Sequence, residues 1–391
     1  MDLRLVWLAL GTFAIGVEGF VIATLLPAIA ADSGVPITQA GYLVFAYALA
    51  YAVGAPVLSA TTGRFDRRVL LTVTAVVFAG GAFLAAVSQG YWMLLLSRLL
   101  IAACAGLYAA SAQAAAVTLA PMERRARAVS IVVAGTTMAV AFGAPIGAFI
   151  SGFAGWRGTY FAISGVGLAT ALAIWLMLPA GIKGDSRSIR ERLAVLSVPG
   201  IVPALLTILL YMAGPFAAFI YLGPVTTQSM GLSVGLLPFV MLAYGVGAAI
   251  GNTIGGQLSD RIGANRTVVL AMSAGVGFLL VLSAIPVVVP KEFVGPVFFA
   301  FMFVWGAAGW IFPPAQVSRI VALSPSAAPL ALSLNASFLY LGTALGAVVG
   351  GQIIEHVGID ELGLIAAAFP LLALVVFYAT RPRRVLQPRL G

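Results

Sequence analysis

The chain has 391 residues, 62% of them hydrophobic and only 8% charged, with 44 glycines and a mean hydropathy of +1.09. That composition excludes a soluble globular domain and marks a polytopic membrane protein, where glycine is favoured because it lets helices approach closely. The formal net charge of +9 calls for no nucleic-acid partner, because the basic residues are spread over alternate loops instead of gathered on one surface.

Hydropathy read in windows of about nineteen residues predicts twelve spans, at 5–30, 38–62, 68–88, 91–119, 127–152, 157–180, 199–223, 234–258, 266–289, 293–322, 328–354 and 360–380. The expected fold class is all-α, a polytopic membrane protein with both termini on one side. With the N-terminus in the cytoplasm, 18 of the 21 Lys and Arg residues face inward, only Arg157 and Lys291 face outward, and Arg98 sits inside a span. The positive-inside rule then places both termini in the cytoplasm.

Span 1 holds a carboxylate, Glu18, in the otherwise apolar run from Leu5 to Ala30. At 1.5 Å per residue that run is about 39 Å long, and Glu18 falls near its middle. A charge at that depth costs several kcal/mol, which makes it a functional-site candidate by default. Ala28-Ile29-Ala30 imitates a signal-peptidase site. The segment is too long for a signal core and is interrupted by Glu18, so span 1 is expected to be retained.

Further along, the turn between spans 2 and 3 reads SATTGRFDRR from Ser59 to Arg68, and the turn between spans 8 and 9 reads GGQLSDRIGANR from Gly255 to Arg266. An offset of 197 lays Asp260 on Gly63 and Arg261 on Arg64, and an offset of 203 lays Ala331, Ser333, Gly346 and Gly350 on Ala128, Ser130, Gly143 and Gly147. Two offsets near half the chain length indicate a duplicated six-helix unit with drift in loop length. The joint is the charged stretch GIKGDSRSIRERLAVLS. The expected organisation is therefore an N-terminal six-helix bundle at 1–180, a cytoplasmic linker at 181–198 and a C-terminal six-helix bundle with a basic tail at 199–391.

Twelve helices in two pseudo-symmetric halves resemble the major facilitator superfamily. Gly256-x-Leu258-x-Asp260-Arg261-x-Gly263-x-x-Arg266 is similar to its cytoplasmic signature. The N-terminal copy departs from the signature, with Gly63 in place of the Asp and Asp66 where Gly is expected, while Arg64, Arg67 and Arg68 remain. Arg98 resembles the buried arginine of the superfamily's helix 4. Gly135 with Gly143-Ala144-Pro145-Ile146-Gly147 resembles the glycine-proline motif of antiporters. Trp156-Arg157-Gly158 and Phe13…Glu18-Gly19-Phe20…Leu26-Pro27 resemble the twelve-helix drug:proton antiporter family, in the branch of arabinose-type sugar, purine and chloramphenicol exporters.

The resemblance implies a secondary active transporter in a bacterial cytoplasmic membrane, monomeric, with a small-molecule substrate, protons and the bilayer as its partners. Neither an enzyme nor a cofactor is expected. There is no Walker loop for ATP, and the lone His356, beside Glu355, cannot build a metal site. Proton coupling falls to Glu18 and Arg98. Burial disfavours and hydration favours an ionised carboxyl, so Glu18 can trade its proton as its surroundings change. Depth counting leaves Arg98 about 8 Å from the level of Glu18, near the limit of an arginine's reach, so pairing and snorkelling both stay open.

Substrate-binding candidates are Tyr47, Tyr51, Gln113, Tyr211, Tyr244, Trp305 and Asn335. Greasy walls with few polar anchors suit a lipophilic or amphipathic drug such as chloramphenicol better than a sugar or nucleoside. An uncoupled facilitator is the remaining alternative; an intramembrane enzyme would want more catalytic groups at one depth. Arg64, Asp66, Arg67, Arg68, Asp260, Arg261, Gly263 and Arg266 are expected to form a cytoplasmic gate, with Asp260 facing the start of span 5 near Ala128. Gly143, Pro145 and Gly147 on span 5, and Gly346 and Gly350 on span 11, are expected to pack helices closely and to act as a hinge.

Overall fold

The computed structural model describes residues 3–182 and 189–380. Lys183, Arg187 and the tail arginines Arg381, Arg383, Arg384 and Arg389 lie outside the described residues. The N-terminal helices are α1 (Leu3–Ser33), α2 (Ile37–Thr62), α3 (Arg67–Ala86), α4 (Tyr91–Leu119), α5 (Arg125–Met138) and α6 (Ala144–Met177). A short helix, α7 (Ile189–Ala194), lies in the linker. Then come α8 (Ile201–Phe219), α9 (Leu222–Pro224), α10 (Leu237–Ile262), α11 (Ala264–Val288), α12 (Lys291–Gly309), α13 (Phe312–Leu323), α14 (Ala328–His356), α15 (Leu362–Ala366) and α16 (Ala368–Ala379).

Eleven helical stretches among the described residues are long and apolar enough to cross a membrane, and one of them, Arg127–Met177, has 51 residues. That one makes two passes. Gly155 adopts φ 69° and ψ 171°, which ends the helical path, and the Thr159 hydroxyl donates to the Gly147 carbonyl at 2.7 Å. In a continuous helix those two residues would stand about 18 Å apart, so the chain reverses at Gly155. Spans 5 and 6 are thus separate passes, as the hydropathy profile expects.

Four spans contain interruptions that hydropathy does not register, and each falls four residues before a proline. A proline has no N–H for the carbonyl four residues back, and its ring crowds that carbonyl. Pro145 follows a π turn at Ala139–Gly143. Pro224 follows the break after Phe219 at Ile220. Pro314 follows the break at Trp310. Pro370 follows Ala366, where α15 stops. Not every proline acts this way, because Pro27 lies inside α1 without ending it.

Glycines form the seams. On α5, α6 and the π turn Ala139–Gly143 between them, Gly135 abuts the Ala9 carbonyl of α1, Gly143 abuts Val17, and Gly147 abuts Val21. On α14, Gly342, Gly346 and Gly350 abut backbone atoms of α8 at Leu209, Ala213 and Ala217. The seam of α1 with α5 and α6 and the seam of α8 with α14 are thus close glycine packings of the same kind. A Cβ at Gly346 would lie 2.7 Å from the Ala213 oxygen and 2.9 Å from the Ala217 nitrogen. Gly346→Ala is therefore expected to cost roughly 1–3 kcal/mol by overpacking. Thermal unfolding of the purified protein measures this, and an unchanged midpoint would show that the seam yields freely.

Between the two sets of helices, α2 packs along α14, α10 packs on α6 and the π turn, and α1 meets α9. Tyr221, fully buried, wedges between Gly41 of α2 and Gly350 and Gly351 of α14, donating to the Ala347 carbonyl at 2.8 Å. Gly223 closes on Pro27. These contacts lie at the ends of the spans remote from the basic loops, so in this structure that end is shut.

Candidate functional site

The intramembrane carboxylate has a partner. Arg98 Nη1 donates to Glu18 Oε1, and neither side chain has any exposed surface. Depth counting credited only the arginine's length; the glutamate contributes its own reach, and together they close the gap between α1 and α4. Two further groups hold the guanidinium. Its carbon stands 4.4 Å from the centroid of the Tyr47 ring, a cation–π contact that gains strength where water is excluded. Its Nη1 also lies 3.3 Å from the Tyr160 hydroxyl.

The site is left with spare capacity. Glu18 Oε2, Arg98 Nε and Nη2, and the Tyr47 hydroxyl are buried with no hydrogen-bond partner among the described residues. Buried polar atoms are nearly always paired, and these four sit together around one ion pair. Tyr160 was not foreseen. Its signal was present in Trp156-Arg157-Gly158-x-Tyr160, where Trp156 and Tyr160 fall on one helical face and pack edge to face with centroids 6.0 Å apart.

From Tyr47 the contacts run across the interface. Tyr47 lies 6.4 Å from both Tyr51 and Tyr340 by ring centroid, and Tyr51 stacks on Tyr340 of α14 at 3.6 Å. A second group joins Phe20 of α1 to Phe216, Phe219 and Trp310 at 5.9–6.4 Å. Phe219 continues to Tyr244, and Tyr244 to Trp305, while Trp310 Nε1 donates to the Tyr244 hydroxyl at 3.3 Å. The chain thus brings Tyr47, Tyr51, Tyr244 and Trp305 into two aromatic groups that bridge its halves, and adds Tyr340 and Trp310. Trp310 sits at a helix break, which a hydropathy window averages away.

Three candidates stand elsewhere. Tyr211 stacks on Phe312 at 4.1 Å and fills the space beside Gly275, inside the C-terminal helices. Asn335 Oδ1 accepts from Gln316 Nε2 at 3.3 Å, and the same amide donates to the Ala204 carbonyl at 2.8 Å, a buried polar tie between α13, α14 and α8. Gln113 is half-buried on α4.

The basic turns also separate. Asp66 caps α3, accepting from the Arg68 and Val69 amides at 2.9 and 3.2 Å, and its other oxygen accepts from the Gly181 amide at 2.5 Å. The Arg67 amide donates to the Ile182 carbonyl at 3.0 Å, and its buried guanidinium reaches Ser111. Arg68 lies over the Trp175 ring, and Arg64 stays exposed over Phe65. Here Asp66, Arg67 and Arg68 fasten the N-terminal helices and the start of the linker to one another. Asp260 and Arg261 are exposed, and Asp260 forms no ion pair among the described residues. The contact expected between Asp260 and the start of α5 is not made as an ion pair in this structure. Gly263 takes φ 90° at the turn into α11, a conformation that favours glycine.

Residues 8–292 match the Major Facilitator Superfamily. The chain is 32% identical over 387 residues to the inner membrane transport protein YdhP of Escherichia coli strain K12, covering 97% of this chain and 96% of that one. It is 30% identical over 392 residues to a chloramphenicol resistance protein of Streptomyces lividans, covering 99% and 97%. The crystal structure of a bacterial homolog of the human lysosomal transporter Spinster, inward-facing and occupied, superposes with a TM-score of 0.73 at 18% identity, over 96% of each chain.

Proposed function

The chain belongs to the major facilitator superfamily, and from that premise we propose that it exports a lipophilic or amphipathic small molecule in exchange for protons. The observation that carries the proposal is the fully buried Glu18–Arg98 pair, joined through Tyr47 to Tyr340 across the interface. A carrier of this superfamily exposes one central site to each side in turn. An exchanger further needs a titratable group that senses which side is open, and Glu18 meets that need.

In the proposed cycle, Glu18 takes a proton from the external side as substrate leaves. Neutral Glu18 no longer balances Arg98, which stays on the Tyr47 ring and the Tyr160 hydroxyl. Once the cytoplasmic side opens, Glu18 releases its proton and the ion pair re-forms as substrate enters. Proton and substrate therefore alternate. The basic turns, placed in the cytoplasm by their charge, act on the other closed state, in which Asp260 meets the start of α5, where helix-end amides favour a carboxylate. That contact biases the conformational equilibrium without touching substrate.

The aromatic groups favour an apolar ring-bearing substrate over a sugar, which demands many fixed hydrogen-bond partners. Tyr51→Ala and Trp310→Ala are expected to weaken apparent substrate affinity roughly three- to tenfold, the worth of one aromatic contact. Tyr211→Leu is expected to lower thermal stability and leave affinity alone. Transport titrations on the three variants check this, and an affinity loss confined to Tyr211→Leu would relocate the site.

Proteoliposomes with an imposed proton gradient test the function itself. Chloramphenicol is the first probe because a relative carries that resistance in its name; arabinose, a purine nucleoside and a lipophilic cation complete the panel. Gradient-driven accumulation of one probe with matching proton counterflow supports the exchanger. Downhill equilibration alone would make the protein a facilitator.

A further inference from the structure

After the reversal at Gly155 the helical path of α6 resumes at Trp156, and the next residue, Arg157, reaches two other elements with its two terminal nitrogens. Its Nη1 pairs with Asp32 Oδ2 at 2.8 Å, at the end of α1, and its Nη2 donates to the Ser88 carbonyl at 2.8 Å, in the turn that leads into α4. The guanidinium also stands 4.3 Å from the centroid of the Trp156 ring. One arginine therefore ties the helix that carries Glu18 to the turn before the helix that carries Arg98, and both to the start of a third pass.

The Arg157 and Asp32 side chains are 37% and 43% exposed, and an ion pair that open to water contributes little to stability. Its consequence is positional. Trp156 and Tyr160 are buried one turn apart on the same helical face, so fixing Arg157 fixes the depth of the Tyr160 hydroxyl. Contacts thus run without a gap from Arg157 through Trp156 and Tyr160 to Arg98. Glu18 and Asp32 stand about four turns apart on α1 and close to one face. That face meets the two joined arginines with two carboxylates, one deep and one at the external end.

The role of this arrangement rests on the exchanger proposed above, in which Glu18 spends part of each cycle neutral. Arg98 then lacks its counter-charge, and its other hydrogen bond among the described residues is to Tyr160. We infer that the start of the second pass of α6 is a positioning device for Arg98: the Asp32–Arg157 pair sets the helix start, and Tyr160 keeps the guanidinium at the level of Glu18 while Glu18 is neutral. An arginine still in place favours the ionised carboxylate once the cytoplasmic side opens. One that has swung away leaves the proton on Glu18, and the carrier returns with it.

Proteoliposomes holding the wild type, Tyr160→Phe or Arg157→Gln test this under an imposed gradient of about one pH unit, with chloramphenicol, arabinose, a purine nucleoside and a lipophilic cation supplied in turn. For the probe that the wild type concentrates, each variant is expected to lower accumulation roughly threefold, from a limit of about tenfold for one exchanged proton. Exchange of that probe for itself continues, and purified Arg157→Gln melts with the wild type because its ion pair is exposed. A part in packing alone would not separate accumulation from exchange in this way. Full accumulation in either variant would overturn the inference and leave the exchanger standing. Accumulation and exchange that fall together with the melting temperature would overturn it in favour of a packing role. A wild type that concentrates none of the four probes would remove the exchanger, and this role with it.

Discussion

Glu18→Gln is expected to abolish proton-driven accumulation of substrate while substrate still exchanges for substrate across the vesicle membrane. Glutamine keeps the size of the side chain and can still accept a hydrogen bond from Arg98, so the packing between α1 and α4 survives. What it cannot do is lose a proton. One proton exchanged per substrate sets an accumulation ratio of about tenfold per pH unit of imposed gradient, since one unit is worth 1.36 kcal/mol. The variant should bring that ratio to about one and remove substrate-dependent proton movement. Exchange, which needs only loaded rocking between the two faces, continues. A variant that still concentrated substrate against its gradient would take Glu18 out of the mechanism, and the proton path would have to be sought at another group.

The plan of the fold was legible because a bilayer imposes a strong code. Spans must be long and apolar, and charge must stay in the loops, so hydropathy and Arg placement predict the passes, including the reversal at Gly155 that separates spans 5 and 6. The interruptions were less visible, although Pro145, Pro224, Pro314 and Pro370 all mark them four residues ahead. Hydropathy scores those residues as apolar and ignores their missing N–H.

At the site, Glu18 and Arg98 stood out because each is costly at its depth. Aromatic residues carry no such signal. Tyr47 and Tyr211 look alike in the sequence, yet one touches Arg98 and the other stacks on Phe312 in the C-terminal helices. Only the rotation of each helix about its axis separates them, and every face of a membrane helix is apolar. Asp66 teaches the same lesson from the loops. Placed by a repeat offset it looked like a displaced gate residue, while its local role, capping α3 and holding the Gly181 amide, follows from its position just before a helix start.

The buried pair can be separated from its function by removing first one charge and then both. Arg98→Met leaves the Glu18 carboxyl in a site without water and without a counter-charge. Breaking a buried pair in this way typically costs about 3–5 kcal/mol; alternatively the carboxyl takes up a proton and stays neutral, and in either case coupling is lost. Removing both charges with Glu18→Gln/Arg98→Met should recover most of that loss, because replacing a buried ion pair by neutral groups of similar volume is often neutral or stabilising. The double variant is therefore expected to unfold within about 1 kcal/mol of the wild type and to carry no proton coupling. Denaturant or thermal unfolding of the three purified variants, set beside their transport in one vesicle system, closes the cycle. If the double variant were as unstable as Arg98→Met, the pair would be a structural tie between α1 and α4. Recovery of stability without recovery of coupling means that the charges are kept at this depth for the proton and not for the fold.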